Sequence, residues 1–257
     1  MRKREKVVYI IVIALVTAIF TLSTPPEVSL EHVEEEVPAD TLVVEEPPKP
    51  VFYISSYDSI FRACADTIGW DWKMLAAVAY VESRFDSSAV SAVGAQGLMQ
   101  IMPRTARAMG VPEGMEHDPE ENVRAAVEFF RYLSYLFRYV PERERINFIL
   151  ASYNAGFGHV QDAMRLASKY GKDRYVWTDN VELYLSLKSD SVYYNDSVCR
   201  NGRFGATETI QFVRKVQKKY NEYCLREKRF EQAQINEELR CEQADVSRVR
   251  STLSDER

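Results

Sequence analysis

Histidine is almost missing from this 257-residue chain, and His32, His117 and His159 stand too far apart for a ligand pattern, so no metal centre is indicated. Positive charge is not in excess either. The 38 acidic and 33 basic residues leave a net charge of -5, and no basic stripe with interleaved aromatics occurs, which argues against a nucleic-acid binder. Runs that alternate apolar and polar residues are lacking, so no strand is read from the sequence and the fold class is mostly α. Cysteine is sparse but even in number. Cys64, Cys199, Cys224 and Cys241 allow three complete pairings in an oxidising compartment, while Cys64, on an apolar helix face, equally suits a buried thiol.

Uncharged length is concentrated at one end. A basic start, Met1 to Lys6, precedes an uncharged run from Val7 to Leu22, so residues 1–23 read as a signal peptide or a membrane anchor. As a helix the run would span about 24 Å, against about 30 Å for a hydrocarbon core, and this length suits both. The bulky Ile19-Phe20 pair and the lack of a small-residue cleavage site favour a retained anchor, with the remainder delivered across the membrane. Residues 24–50 are a spacer rich in proline and glutamate, with too little apolar surface to fold and like charges that extend it. Residues 51–224 form the folded domain. Residues 225–257, dense in Glu, Arg, Gln and Lys, read as a solvated helix or a disordered tail, with a partner-binding helix as the alternative.

Within the domain, apolar residues recur at helical spacing. Ile60, Phe61, Cys64, Ala65 and Ile68 share one face of a helix that Ser56 could cap and that ends at Gly69; Asp71 is placed to cap the next. Pro103 suits the first turn of a short helix through Met109. Val123, Ala126, Val127, Phe130, Leu133 and Phe137 make a long stripe that stops before Pro141. Ile146, Ile149, Leu150 and Tyr153 repeat the spacing, as do Val160, Ala163, Met164 and Ala167 before Gly171, and finally Ile210, Val213, Val216 and Tyr220.

One residue breaks this pattern. In the helix from Met74 to Phe85, Leu75, Val78, Ala79 and Glu82 fall at i, i+3, i+4 and i+7, which puts a carboxyl on the apolar stripe. Two readings fit. The side chain could turn to solvent or pair with Arg84, since Glu is rarely buried without a partner. Alternatively, burial and the negative end of the helix dipole both disfavour its ionised form, which would leave a general acid. Asp66, Asp71 and Asp86 offer no convincing second carboxylate.

The stretches Ala76-Ala77-Val78-Ala79-Tyr80-Val81-Glu82-Ser83-Arg84-Phe85 and Gly94-Ala95-Gln96-Gly97-Leu98-Met99-Gln100-Ile101-Met102-Pro103 resemble the lytic transglycosylases of the soluble Slt type. Ala151-Ser152-Tyr153-Asn154-Ala155-Gly156 resembles a third motif of that family, in family order. The resemblance covers about residues 55 to 220 and implies a lysozyme-like helical domain acting on peptidoglycan glycan strands in the periplasm. It implies no metal and no organic cofactor. Glu82 would be the acid and then the base, and Ser83 would orient the carboxyl or the substrate. Gln96, Gly97, Met99, Gln100, Tyr153 and Asn154 would line the groove, while Leu98 is core. One departure stands out: in Glu208-Thr209-Ile210-Gln211-Phe212-Val213, Phe212 occupies a position where the family commonly has tyrosine. Phe212 could wall off water but can offer no phenol to the acid. A water-using muramidase of the same fold, or a non-catalytic wall-binding scaffold, are the alternatives.

Overall fold

A computed structural model describes residues 50–255, with side chains through Ala244. The anchor or signal peptide expected at residues 1–23 and nearly all of the spacer lie outside the described residues. The fold is mostly α, as the stripes require. Helix α1 spans Asp58–Asp66, α2 Trp72–Ser83, α3 Pro103–Ala108, α4 Pro119–Leu136, α5 Glu142–Ala155 and α6 Phe157–Lys169. The irregular turn Trp177–Val181 leads into α7, Glu182–Leu187; α8, Ser191–Tyr194, follows, and α9 runs from Thr207 to Asp255. Among the described residues no helix is long and apolar enough to cross a membrane.

Several helix starts have visible causes. The Asp71 side chain accepts from the Lys73 amide at 3.0 Å and so satisfies an orphan donor at the start of α2. Asp118 does the same for Glu121 ahead of α4, with Pro119 in the first turn. The start of α1 differs from expectation. Ser56 does not cap it; Asp58 folds back instead to accept from the Ser55 amide (2.9 Å), the Ser55 hydroxyl (2.9 Å) and the Ile54 amide (2.7 Å).

The core is one cluster in which Phe61, Leu75, Val78, Phe130, Leu133, Phe137, Phe148 and Leu150 are all fully buried. Helix α9 packs chiefly on α2 and α5, so the last helix closes over the one that carries Glu82. It also runs unbroken past residue 224. Glu227 pairs with Lys73 (2.6 Å), Phe230 lies 5.9 Å from Phe52 ring to ring, and the Gln234 amide donates to the Pro50 carbonyl at 2.8 Å. The segment beyond residue 224 is thus a solvated helix, with no buried residue from 225 to 244, whose first ten residues touch the domain along one edge. All four cysteines are free thiols, so none of the three pairings is formed.

The stretch between α6 and α9, for which the sequence shows no clear stripe, is held by a buried ion pair. Lys188 Nζ donates to Asp162 Oδ2 at 2.5 Å with both side chains fully buried. Burial by itself would raise the Asp162 carboxyl, but Lys188, the Arg200 and Asn201 amides and Arg165 more than reverse this and hold it down to about 2. The loop around Arg200 is thereby fastened to α6, and it leads directly into α9.

Candidate active site

Helix α2 ends immediately after Glu82. Ser83 is its last residue, and the backbone then turns sharply because Arg84 (φ 56) and Phe85 (φ 68) are both left-handed, a costly arrangement for residues with a Cβ. Phe85 justifies the turn by packing its ring against Phe61 (6.2 Å) and Tyr80 (5.7 Å). Glu82 is thus held in the last turn of α2, where helix carbonyls disfavour negative charge. The side chain is half-buried, with the carboxyl enclosed by protein atoms. Among the described residues nothing hydrogen-bonds or ion-pairs with it. Burial pushes its pKa up to about 8, and no neighbouring charge contributes to the shift. Asp86, the nearest acid in sequence, is engaged elsewhere: it accepts from the Ser88 amide (2.8 Å) and hydroxyl (2.6 Å) on the surface.

The glycine-punctuated loop lies against this helix end. Ser83 Oγ donates to the Leu98 carbonyl at 2.8 Å, with the Ala79 carbonyl 3.2 Å away as the alternative acceptor. Its hydroxyl therefore joins α2 to the loop and makes no hydrogen bond to the Glu82 carboxyl. Gln96 and Ile101 exchange two backbone hydrogen bonds of 3.0 Å, which closes the loop into a tight antiparallel bridge. Gln100 has φ 50, and its side-chain amide donates back to the carbonyls of Gly97 (2.9 Å) and Ala89 (3.1 Å).

Gly97 is required twice over: its φ is +75, and a Cβ there would fall inside the Asn122 side-chain amide. Asn122 is the residue the sequence reading missed. It comes from α4, is only 3% exposed, accepts from the Met99 amide (2.8 Å) and donates to the Gln96 (2.9 Å) and Glu116 (2.8 Å) carbonyls. The signal was available: Asn122 lies at i to Ala126, Phe130 and Leu133 at i+4, i+8 and i+11, a polar side chain on a buried stripe just as Glu82 is.

Met99 differs from the expectation that its side chain lines a groove. The Met99 side chain is fully buried in the core, because Asn122 fixes its amide and the loop turns the side chain inward. It meets the site through its carbonyl, which accepts from the Tyr153 hydroxyl at 2.6 Å. Tyr153 stacks beside Phe130, 4.7 Å ring to ring, and its phenol is raised well above the usual value, first by burial and then by the charge of Glu82. That influence places Tyr153 near the acid. Asn154 is exposed and accepts from Thr209 Oγ1 at 2.7 Å, tying the end of α5 to the start of α9. Phe212, one turn further along α9, is buried and has no hydroxyl to offer Glu82. A separate cavity of 510 Å³ between α1 and α4 is lined by Cys64, Glu120 and Arg124 among others; it does not include Glu82.

These elements define a helical domain assembled around one desolvated carboxyl, with an amide-rich loop beside it. Residues 59–176 match the family described as Transglycosylase SLT domain. Similar curated proteins include the membrane-bound lytic murein transglycosylase F of Maricaulis maris, 38% identical over 164 residues, which are 62% of this chain and 34% of that protein. The protein of the same name from Marinobacter nauticus is 36% identical over 166 residues, 64% of this chain and 32% of its own length. The chain therefore spans about a third of the curated relatives it matches. Among solved structures, the 70 kDa soluble lytic transglycosylase SLT70 of Escherichia coli is similar over 65% of this chain and 24% of its own, with 27% identity and a TM-score of 0.46.

Proposed function

We propose that this chain is a peptidoglycan lytic transglycosylase that cleaves the β-1,4 bond between MurNAc and GlcNAc and leaves a 1,6-anhydro-MurNAc end. The observation that carries the reading is the solitude of Glu82: a desolvated acid with no second carboxylate acting on it among the described residues. Most glycosidases need two carboxylates, one as acid and one to supply or activate a nucleophile. A single acid suffices when the nucleophile belongs to the substrate. Protonated Glu82 gives its proton to the leaving glycosidic oxygen as the C1–O bond breaks, with the N-acetyl group assisting departure. The C6 hydroxyl of the same sugar then attacks C1, and the Glu82 carboxylate takes its proton. The acid is restored and no water is consumed.

The loop supports this by rigidity. Gln100, Tyr153 and the backbone around Gly97 are hydrogen-bonded among themselves, so polar groups that meet sugar hydroxyls or acetamido groups need not reorganise. The basic start and uncharged Val7–Leu22 run, together with relatives named membrane-bound, support a periplasmic enzyme retained at the membrane. Mass spectrometry of digested sacculi tests the reaction: the anhydro product is expected from the wild type and not from Glu82→Gln. Products with a free reducing end would identify a water-using muramidase instead, and an inert wild type a wall-binding scaffold.

The pH profile follows from the same group. Glu82 must begin protonated, and its pKa lies at about 8. Turnover is therefore expected to hold through neutral pH and to fall about tenfold per unit on the alkaline side of that value. A profile that rises between pH 7 and 9 would contradict the acid assignment.

A further inference from the structure

Past Gln234, helix α9 runs on into solvent: every residue from Ile235 to Ala244 is exposed, and the helix continues to Asp255. A helix in water draws most of its stability from burying one face, and this one covers about 30 Å without a buried residue as far as Ala244. Its apolar residues are nonetheless ordered. Leu225, Ile235 and Leu239 are 54%, 49% and 49% exposed and stand at a, d and a positions of one heptad seam, with Lys228 and Gln232 at the two positions between. In the sequence the same spacing goes on through Val246, Val249 and Leu253, interrupted at Glu242. A repeat of 3.5 residues suits a neighbouring helix, whereas a helix lying on a domain carries a broader stripe. Glu227, Phe230 and Gln234, which touch the domain, fall on the opposite flank, so the seam stays open.

We infer that α9 from Leu225 onward is the docking face for a second copy of this chain, with which it forms a parallel two-stranded coiled coil. The residues flanking the seam select both partner and direction. One edge carries Glu231, Glu238 and Asp245; the other carries Arg229, Asn236, Gln243 and Arg250. In a parallel pair each acid lies across from the residue five positions further along in the other copy, which matches Glu231 with Asn236, Glu238 with Gln243 and Asp245 with Arg250. An antiparallel pair would set the acidic edge against itself. The helix is therefore complementary to its own sequence. Lys228, Gln232 and Glu242 limit the number of strands, because polar ends reach water from a two-stranded seam and not from the enclosed core of three or four. They also make the pair weak. Acids and bases nearly balance along the segment, which gives it little attraction for an anionic bilayer. The pairing is independent of the glycan-cleaving reading, and it holds both domains at the same end of the coil.

Sedimentation velocity on the full chain, over a hundredfold range of concentration, is expected to show a monomer passing reversibly into a dimer. Ile235→Lys/Leu239→Lys changes two exposed positions and leaves the core alone, so it should weaken the dimer at least about a hundredfold without moving the Tm of the dilute monomer. Glu242→Leu removes a like-charged layer and should tighten the dimer about tenfold. Direction is read with Ile235→Cys in a Cys241→Ser background: mild oxidation should join the chains, since position 235 faces itself across the seam only when the two helices run parallel. A chain monomeric at every concentration, a dimer that survives the double lysine variant, or no cross-link at position 235 would overturn the pairing. So would a monomer that binds phosphatidylglycerol vesicles through this helix, which would assign the seam to a membrane.

Discussion

Replacing Glu82 by Gln is expected to make the domain more stable at neutral pH while lowering its activity by at least about a thousandfold. The two effects have one origin. Glu82 holds its proton in the folded chain up to about pH 8, whereas in the unfolded chain it ionises near the ordinary value of 4.5. Between those values the unfolded state binds fewer protons, so stability falls as pH rises through the window, by at most about 1.4 kcal/mol per unit. Below 4.5 both states are protonated and the penalty vanishes; above 8 it is fully developed. Glutamine keeps the shape and removes the titration. Allowing for the part of the side chain that remains in contact with solvent, the gain should be about 2 kcal/mol at pH 7. Denaturant unfolding of both proteins at pH 4, 7 and 9 checks it: the two curves should coincide at the first and separate progressively. A constant offset across pH, or a variant less stable at pH 7, would mean that the folded carboxyl ionises normally and is no proton reservoir.

The same misfit that makes Glu82 costly makes its burial readable from sequence. A charged residue at i+7 from Leu75 on a stripe of Leu, Val and Ala is visible without coordinates, and so are the Asp71 cap, the Pro103 turn and the long α4 stripe, because each depends on neighbours within one or two turns. What depends on distant contacts is not visible in this way. The segment beyond residue 224 has the composition of a solvated helix and is one, but its edge contacts of Glu227, Phe230 and Gln234 with Lys73, Phe52 and Pro50, more than 150 positions away in the chain, could not be read from composition. Met99 illustrates the limit inside the loop. Helical and strand periodicities say which way a side chain faces only in helices and strands, and here the direction is set by left-handed Gly97 and Gln100 and by a hydrogen bond from another helix. The segment from Gly171 to Ala206 is opaque for a related reason: its anchor is the Lys188–Asp162 pair, two residues that composition alone assigns to the surface.

Asn122 is where such a distant contact should have the greatest consequence. Its amide is the junction of α4 with the loop, and Asn122→Ala would leave the Met99 amide and the Gln96 and Glu116 carbonyls without the partners they have now. Buried groups so abandoned cost about 1 kcal/mol or more each, giving about 3 kcal/mol in all and a fall in Tm of about 6 to 12 °C for a domain of this size. Activity should fall as well, at temperatures where the variant is fully folded. Ser83 holds the end of α2 to the Leu98 carbonyl, so a loop released at Met99 loosens the backbone that positions Glu82. Gly97→Ala should resemble it, since the added Cβ displaces the same Asn122 amide. The double variant then discriminates. If Asn122 acts through the loop, the two losses are markedly less than additive, because either change already breaks the junction. Full additivity, or an Asn122→Ala protein with wild-type Tm and turnover, would show that the loop keeps its shape by its own Gln96–Ile101 bridge and that α4 only covers it.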